Sequence, residues 1–176
     1  MVKVIDDFLS KDELDRVLFE LKTPIETHAA KKIVTNDDYD RSYDNAPAKV
    51  EFFDSDYIHC VFSKKLGIEL DRNFQRLRTT YKSDDPRPNP PHQDLKTPHI
   101  TIVWYLYDSD GDLFIYNEQQ PSEVFSVLTS VTPLANKLVY FDGSHYHSGN
   151  TPKSYAKRVV LNLHSLNNDE SHLFID

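Results

Sequence analysis

Two short stretches of this chain carry metal-ligating side chains at close spacing: His92-Gln93-Asp94 and His145-Tyr146-His147. With eight histidines and twenty aspartates in the chain, about one His-x-Asp pair arises by chance, so the first stretch proves nothing alone. On an extended backbone, however, residues i and i+2 point to the same side. His92 and Asp94 then present one imidazole nitrogen and one carboxylate oxygen to a common point. A second imidazole from a distant strand completes a set of two histidines and one carboxylate. Three such ligands leave three positions of an octahedral metal open, the arrangement suited to non-haem iron(II). Neutral imidazoles and one carboxylate leave one net positive charge on a bound dication, which favours an anionic chelating ligand.

The second imidazole is expected late, on a returning strand, and the segment KLVYFDGSHYHSG at 137–149 offers it. His145 and His147 share a face of any strand they lie on, so geometry alone does not choose between them. His99, five residues beyond Asp94, falls at the mouth of such a site. His28, His59, His164 and His172 show no ligand spacing and read as ordinary core or surface residues.

The bulk properties exclude several other classes. A chain of 176 residues with 39% hydrophobic content supports one packed domain. A net charge of −8 disfavours bulk nucleic-acid binding, which rests on clustered Lys and Arg. The one local basic strip, Arg72, Arg76, Arg78 and Lys82, reads first as a solvated strand face. The single cysteine, Cys60, excludes an internal disulfide and a cysteine-based zinc site, and suits a reducing compartment. No GxGxxG or GxxxxGK[ST] motif occurs. The opening MVKVIDDFLSKDE lacks the apolar core of a secretory signal, and no apolar run approaches the ~18 residues of a membrane span. These features together predict a cytoplasmic protein without membrane contact.

The elements that must position the ligands can be read in order. Residues 2–8 predict a short strand. Ser10 with Glu13 forms a capping-box pattern, and Leu9, Leu14, Val17, Leu18 and Leu21 recur at helical spacing, predicting a helix over 11–22 ended by Pro24. The polar stretch 23–49 reads as a long loop. Asp54 or Ser55 caps a second helix over 56–66, and Gly67 stops it. Residues 68–81 read as extended, with Leu77, Thr79 and Tyr81 on one side. The proline-rich 82–91 cannot be regular. HITIVWYLY at 99–107 has strong β propensity, Asp108 to Gly111 reads as a hairpin turn, and LFIY returns as its partner strand. Further strands are expected over 124–131, 137–142 and 157–164. The pattern is mainly β with N-terminal helices, a double-stranded β-helix or jelly roll. The expected organisation is one domain over 1–176, with 1–67 as helical support and 68–165 as the jelly-roll core.

Several pieces in this order resemble the iron(II)/2-oxoglutarate oxygenase superfamily, in particular its prolyl-4-hydroxylase-like and phage-encoded members. They are Tyr81 before the proline loop, HQD at 92–94, TIVWYLY at 101–107, GDL at 111–113, PLANKLVYFDG at 133–143, and His147 with Arg158 eleven residues later. VKVIDDFLSKDEL is similar to the usual opening of that group. The resemblance covers about residues 70–165. It implies His92, Asp94 and His147 as ligands of Fe(II), with His147 preferred over His145 by its spacing to Arg158. It further implies 2-oxoglutarate as cosubstrate, Arg158 on its distal carboxylate, and ascorbate as an optional accessory. Family members often carry Ser or Thr two residues after this Arg. Val160 stands there, so Tyr105 is expected to assist, with Thr101 and Asn162 behind it. Tyr81 is expected to help the metal-proximal carboxylate. For both tyrosines an aromatic core role stays open.

The implied activity is hydroxylation of a C–H bond of a peptide, protein or small molecule by a monomer or weak dimer, with succinate and carbon dioxide as coproducts. Three rivals are weaker. A cupin-type metal enzyme would need a Glu soon after His147. A nucleic-acid demethylase would carry a second Arg in RVVLNLHS. A non-enzymatic jelly-roll binding module would need no triad.

Overall fold

The computed structural model describes residues 2–26, 32–34, 48–52, 54–84 and 89–166. In chain order the elements are β1 (Val2–Ile5), α1 (Lys11–Glu26), β2 (Lys32–Val34), β3 (Ala48–Phe52), α2 (Asp56–Leu66), β4 (Gln75–Tyr81), β5 (Ile100–Tyr105), β6 (Leu113–Tyr116), β7 (Val127–Val131), β8 (Leu138–Asp142), β9 (His147–Gly149) and β10 (Lys157–Ser165). Seven strands form a major antiparallel sheet in the order β1-β8-β5-β10-β4-β3-β2, and three form a minor sheet in the order β7-β6-β9. Two antiparallel sheets with helices on the outside are the jelly-roll arrangement expected from the strand pattern.

The major sheet is buried on both faces, which explains the near-continuous apolar run of β5. Its outer face carries Leu77, Ile100, Ile102, Trp104, Leu138, Leu161 and Leu163. These pack with Val17 and Leu21 of α1 and Ile58 and Phe62 of α2. Its inner face carries Val103, Tyr105, Val139, Phe141 and Val160, which meet Leu113, Ile115 and Val131 of the minor sheet. Alternate residues of one strand thus serve two separate cores.

The helix signals act as the sequence implies. Ser10 N–H donates to Glu13 Oε2 at 2.8 Å and Glu13 N–H to Ser10 Oγ at 3.4 Å, the reciprocal capping box. Ser55 caps α2, and Gly67 ends it at φ 70°, a left-handed conformation that glycine adopts without a Cβ clash.

Four expectations are corrected. Helix α1 runs to Glu26, past Pro24; proline's fixed φ is helix-compatible, and the one intrahelical bond lost with its missing N–H ends the helix only two residues later. Residues 1–67 are not only helical support, because β1, β2 and β3 lie on the two flanks of the major sheet. Accordingly β2 and the start of β3 fall inside the stretch read as the loop 23–49, whose other residues beyond Glu26 lie outside the described ones. Asp108 to Gly111 does not turn a hairpin: β5 belongs to the major sheet and β6 to the minor one, so this segment crosses between sheets. A turn signal marks a reversal but not the partner strand.

Asn136 ties the N-terminus to the core. Its Oδ1 accepts from Leu9 N–H at 3.0 Å and from the Trp104 indole at 3.2 Å, and its Nδ2 donates to Leu9 O at 2.8 Å. It also sits at φ 62°, a region Asn tolerates better than most residues. Asn136→Ala leaves three buried polar groups without this partner. It is expected to lower unfolding free energy by about 2–4 kcal/mol, measured by urea denaturation; a loss under about 0.5 kcal/mol would contradict this role.

Candidate metal centre

His92 lies after the prolines, outside any full strand, yet its backbone is held. His92 N–H donates to His147 O and His147 N–H donates to His92 O, both at 2.9 Å. This isolated antiparallel bridge joins residues 55 positions apart. In such a mutually hydrogen-bonded pair the two side chains lie on the same side. The two imidazole rings accordingly sit with centroids 4.7 Å apart. Asp94, two residues on, brings its carboxylate to the same place. His147 Nε2 is 3.4 Å from Asp94 Oδ2, and His92 Nε2 is 4.0 Å from Asp94 Oδ1. Ligand atoms of the three residues lie within 4.8 Å of one another. A single ion with bonds of about 2.1 Å draws such a set together with small side-chain movements.

The inner face of the major sheet builds the wall beside this triad, rung by rung. One rung runs Phe141, Thr101, His164; the next Val139, Val103, Asn162, Arg76; the next Tyr105, Val160, Arg78; the last pairs Arg158 with Thr80. The cavity is lined by the triad with Arg76, Arg78, Asn89, Val103, Tyr105, Leu113, Gly149, Arg158, Val160 and Asn162. It encloses about 490 Å³ of atom-free space, counting the part open to solvent.

Asp94 has two further partners that the sequence reading missed. Arg76 Nη2 lies 3.2 Å from Oδ1, and His164 Nε2 lies 3.2 Å from Oδ2. Because the carboxylate accepts, His164 carries its proton on Nε2. The His164 ring stacks on Phe74 at 3.6 Å, and the Arg76 guanidinium lies 4.9 Å from the same Phe74 ring. Burial pushes the Asp94 pKa up, but the hydrogen bonds from His147 and His164 and the charge of Arg76 outweigh it. The carboxyl stays well below the usual carboxylate range. Burial, with the neighbouring His147, lowers His92 to about 3, so its lone pair is free for a metal at neutral pH.

At the other end of the cavity Arg158 is 5% exposed and donates from Nη1 to Gly111 O at 3.0 Å. Its guanidinium lies where a Cβ on Gly149 would fall, so only glycine leaves this seat open. Burial lowers the Arg158 pKa to about 10, which keeps it cationic at neutral pH. Burial raises the Tyr105 pKa, so its phenol stays a donor, and that hydroxyl has no hydrogen-bond partner among the described residues. Asn162 Oδ1 is likewise unpartnered. A cation and an unused donor at the far end of a polar cavity suit the distal carboxylate of a dianionic ligand.

The structure thus brings together His92, Asp94, His147, Arg158 and Tyr105, with Asn162 alongside. It does not bring Tyr81. That residue shares the parity of Leu77, faces away from the cavity and is 43% exposed; the wall positions of β4 are Arg76 and Arg78. These two are 7% exposed each, not a solvated strip. His145 is turned aside, bonded through Nδ1 to Tyr116 O at 2.8 Å. His99 is not at a mouth: it is 2% exposed, with its ring centroid 4.9 Å from that of His164. Thr101 is buried on the right face but beside His164, away from Arg158. Strand parity carries the missed signal: 158, 160, 162 and 164 share one face of β10, and 76 and 78 the face opposite Leu77.

No known sequence family matches the chain, and no curated protein matches it. Solved structures do. A prolyl hydroxylase from Trichoplax adhaerens, in complex with a hypoxia-inducible-factor oxygen degradation domain peptide, superposes with TM-score 0.68 at 13% identity over 99% of this chain and 87% of that one. A prolyl-4-hydroxylase from Pseudomonas putida gives TM-score 0.54 at 14% identity over 93% and 91%. The chain has the fold of the 2-oxoglutarate and iron(II) oxygenases. The epimerase SnoN, in complex with Fe3+, alpha-ketoglutarate and a nogalamycin ligand, gives TM-score 0.58 at 13% identity over 93% and 78%. Among the described residues no helix is long and apolar enough to cross a membrane.

His164→Leu removes one of the two partners that Asp94 has outside the triad and is expected to weaken Mn(II) binding about 10–100-fold, read by calorimetry. His164→Gln, which keeps a donor, should recover part of that loss. Binding of the Leu variant as tight as wild type would refute the role given to His164.

Proposed function

We propose that this chain is an Fe(II)- and 2-oxoglutarate-dependent dioxygenase that hydroxylates a C–H bond of a peptide or small-molecule substrate, releasing succinate and carbon dioxide. The observation that carries this reading is the convergence of His92, Asp94 and His147 on one point, with Arg158 deeper along the same wall. A binding module would have no use for a buried carboxylate held between two histidines.

The bound iron and 2-oxoglutarate would supply the oxidising chemistry, which no side chain can provide. The chain's own residues hold and orient. His92, Asp94 and His147 would hold the metal, three ligands being fewer than an iron(II) site takes. Arg158 and Tyr105 would hold the distal carboxylate of the cosubstrate and so orient it in the cavity. Val103, Leu113 and Val160 line the cavity between these ends and restrict water there. No general acid or base is required. A peptide substrate is supported by the peptide bound to the Trichoplax adhaerens neighbour.

Anaerobic addition of Fe(II) and 2-oxoglutarate to the wild-type protein is expected to produce a visible metal-to-ligand charge-transfer band. Asp94→Ala and His147→Ala should abolish it, while His145→Ala should retain it. A colourless wild-type mixture, or equal colour in the two ligand variants, would remove the assignment.

A further inference from the structure

Three guanidiniums, those of Arg76, Arg78 and Arg158, line one cavity in which Asp94 is the only carboxylate among the described residues. The chain as a whole is acidic at −8, so this concentration of cations is local. Guanidiniums gathered along one cavity wall suit the carboxylates of an anionic ligand, which they can grip bidentately. Arg76 serves Asp94 at 3.2 Å, and Arg158 marks the far end beside Gly111 and Tyr105. Arg78 is the third, 7% exposed and on the cavity wall.

Its place in the register is informative. Arg78 lies opposite Val160, and Val160 lies opposite Tyr105. One pleat repeat along β4 leads to Arg76 and the Asp94 end; one repeat the other way leads to Thr80, opposite Arg158. A repeat of two residues is about 6.7 Å. Arg78 therefore enters the wall between the metal ligands and Arg158, and a long side chain there reaches either end. Its charge is felt at both, lowering the pKa of His92 and of Arg158. Tyr81, the side chain expected from the sequence to meet a carboxylate near the metal, points away from the cavity.

We propose that Arg78 is a second carboxylate anchor, gripping the metal-proximal carboxylate of the 2-oxoglutarate whose distal carboxylate rests on Arg158. This rests on the function proposed above. The cosubstrate is then held by a guanidinium at each end, and Arg78 is a positioning residue for its chelating end. A 2-oxo acid without the distal carboxylate keeps the Arg78 contact and loses only that of Arg158.

The test is calorimetric titration of the full chain loaded with Mn(II), using 2-oxoglutarate and 2-oxobutyrate, which lacks the distal carboxylate. Arg78→Met is expected to weaken both ligands by about tenfold or more, with Mn(II) binding unchanged or tighter because a nearby cation is gone. Arg158→Met should weaken 2-oxoglutarate alone. Arg78→Lys keeps the charge without the planar fork, and should fall between wild type and Arg78→Met for both ligands. Wild-type affinity of Arg78→Met for both ligands overturns the proposal and leaves Arg78 to a carboxylate on the primary substrate. Loss of 2-oxoglutarate binding alone in Arg78→Met also overturns it, because Arg78 would then serve the distal end. Should Arg78→Met not fold, Arg78→Lys decides: weakening of both ligands by about threefold or more at an unchanged melting temperature supports the anchor, and equal binding overturns it. Failure of the wild-type Mn(II) protein to bind 2-oxoglutarate is a different result, and removes the proposed function itself.

Discussion

The site depends on one closure: the paired backbone bonds between His92 and His147. Residue 92 follows Pro90 and Pro91 and lies outside any full strand, whereas residue 147 opens a strand of the minor sheet. The two reciprocal bonds fasten the irregular segment to that sheet and align both imidazoles on one side. Asp94 inherits its position from the same fastening. Phe141 supports the arrangement from the major sheet, its ring standing edge-on to His147 at 5.2 Å. Without this bridge His147 and the His92–Asp94 pair would belong to separate parts of the chain.

A carboxylate so deeply placed needs compensation, and the major sheet supplies it from β4 and β10. Arg76 and His164 come from neighbouring strands and each takes one oxygen of Asp94. Both press on Phe74, so an aromatic ring keeps their spacing. The arrangement holds Asp94 ionised in a place where burial alone would protonate it. The remaining guanidiniums of the cavity continue along the same sheet face, so that among the described residues its lining holds three guanidiniums and one carboxylate. Such a concentration of cations draws small anions inward.

The two faces of the major sheet divide stability from chemistry. Leu77, Trp104 and Leu161 face the helices and form one rung of the outer core. Their immediate neighbours Arg76, Arg78, Tyr105, Val160 and Asn162 face the cavity. A register shift of one residue on any of these strands would exchange the two sets. The apolar outer core therefore fixes the geometry of the polar inner wall, and the N-terminal helices contribute to the site without touching it.

Much of this was legible in order along the chain. The choice of His147 over His145 and the role of Arg158 came from the resemblance to the oxygenase superfamily, whereas the capping box at Ser10, the Ser55 and Gly67 boundaries of α2 and the β propensity of 100–105 follow from local residue types and spacing. These features are local, because caps, pleats and ligand chemistry depend on a few neighbouring residues. What the sequence left open depends on which strand lies beside which. Hairpin logic paired β5 with the next strand, but the chain crosses to the other sheet. The resemblance placed Tyr81 near the metal, but the pleat turns it outward and puts Arg78 on the wall. His164 showed no motif, because its partner Asp94 is seventy residues away in sequence; they meet only because the His92–His147 bridge holds the Asp94 segment beside the sheet face on which His164 of β10 lies opposite Thr101 of β5. Residue types determined what chemistry the chain can do; strand pairing, set by burial of the outer core, decided which side chains share the cavity where it is done.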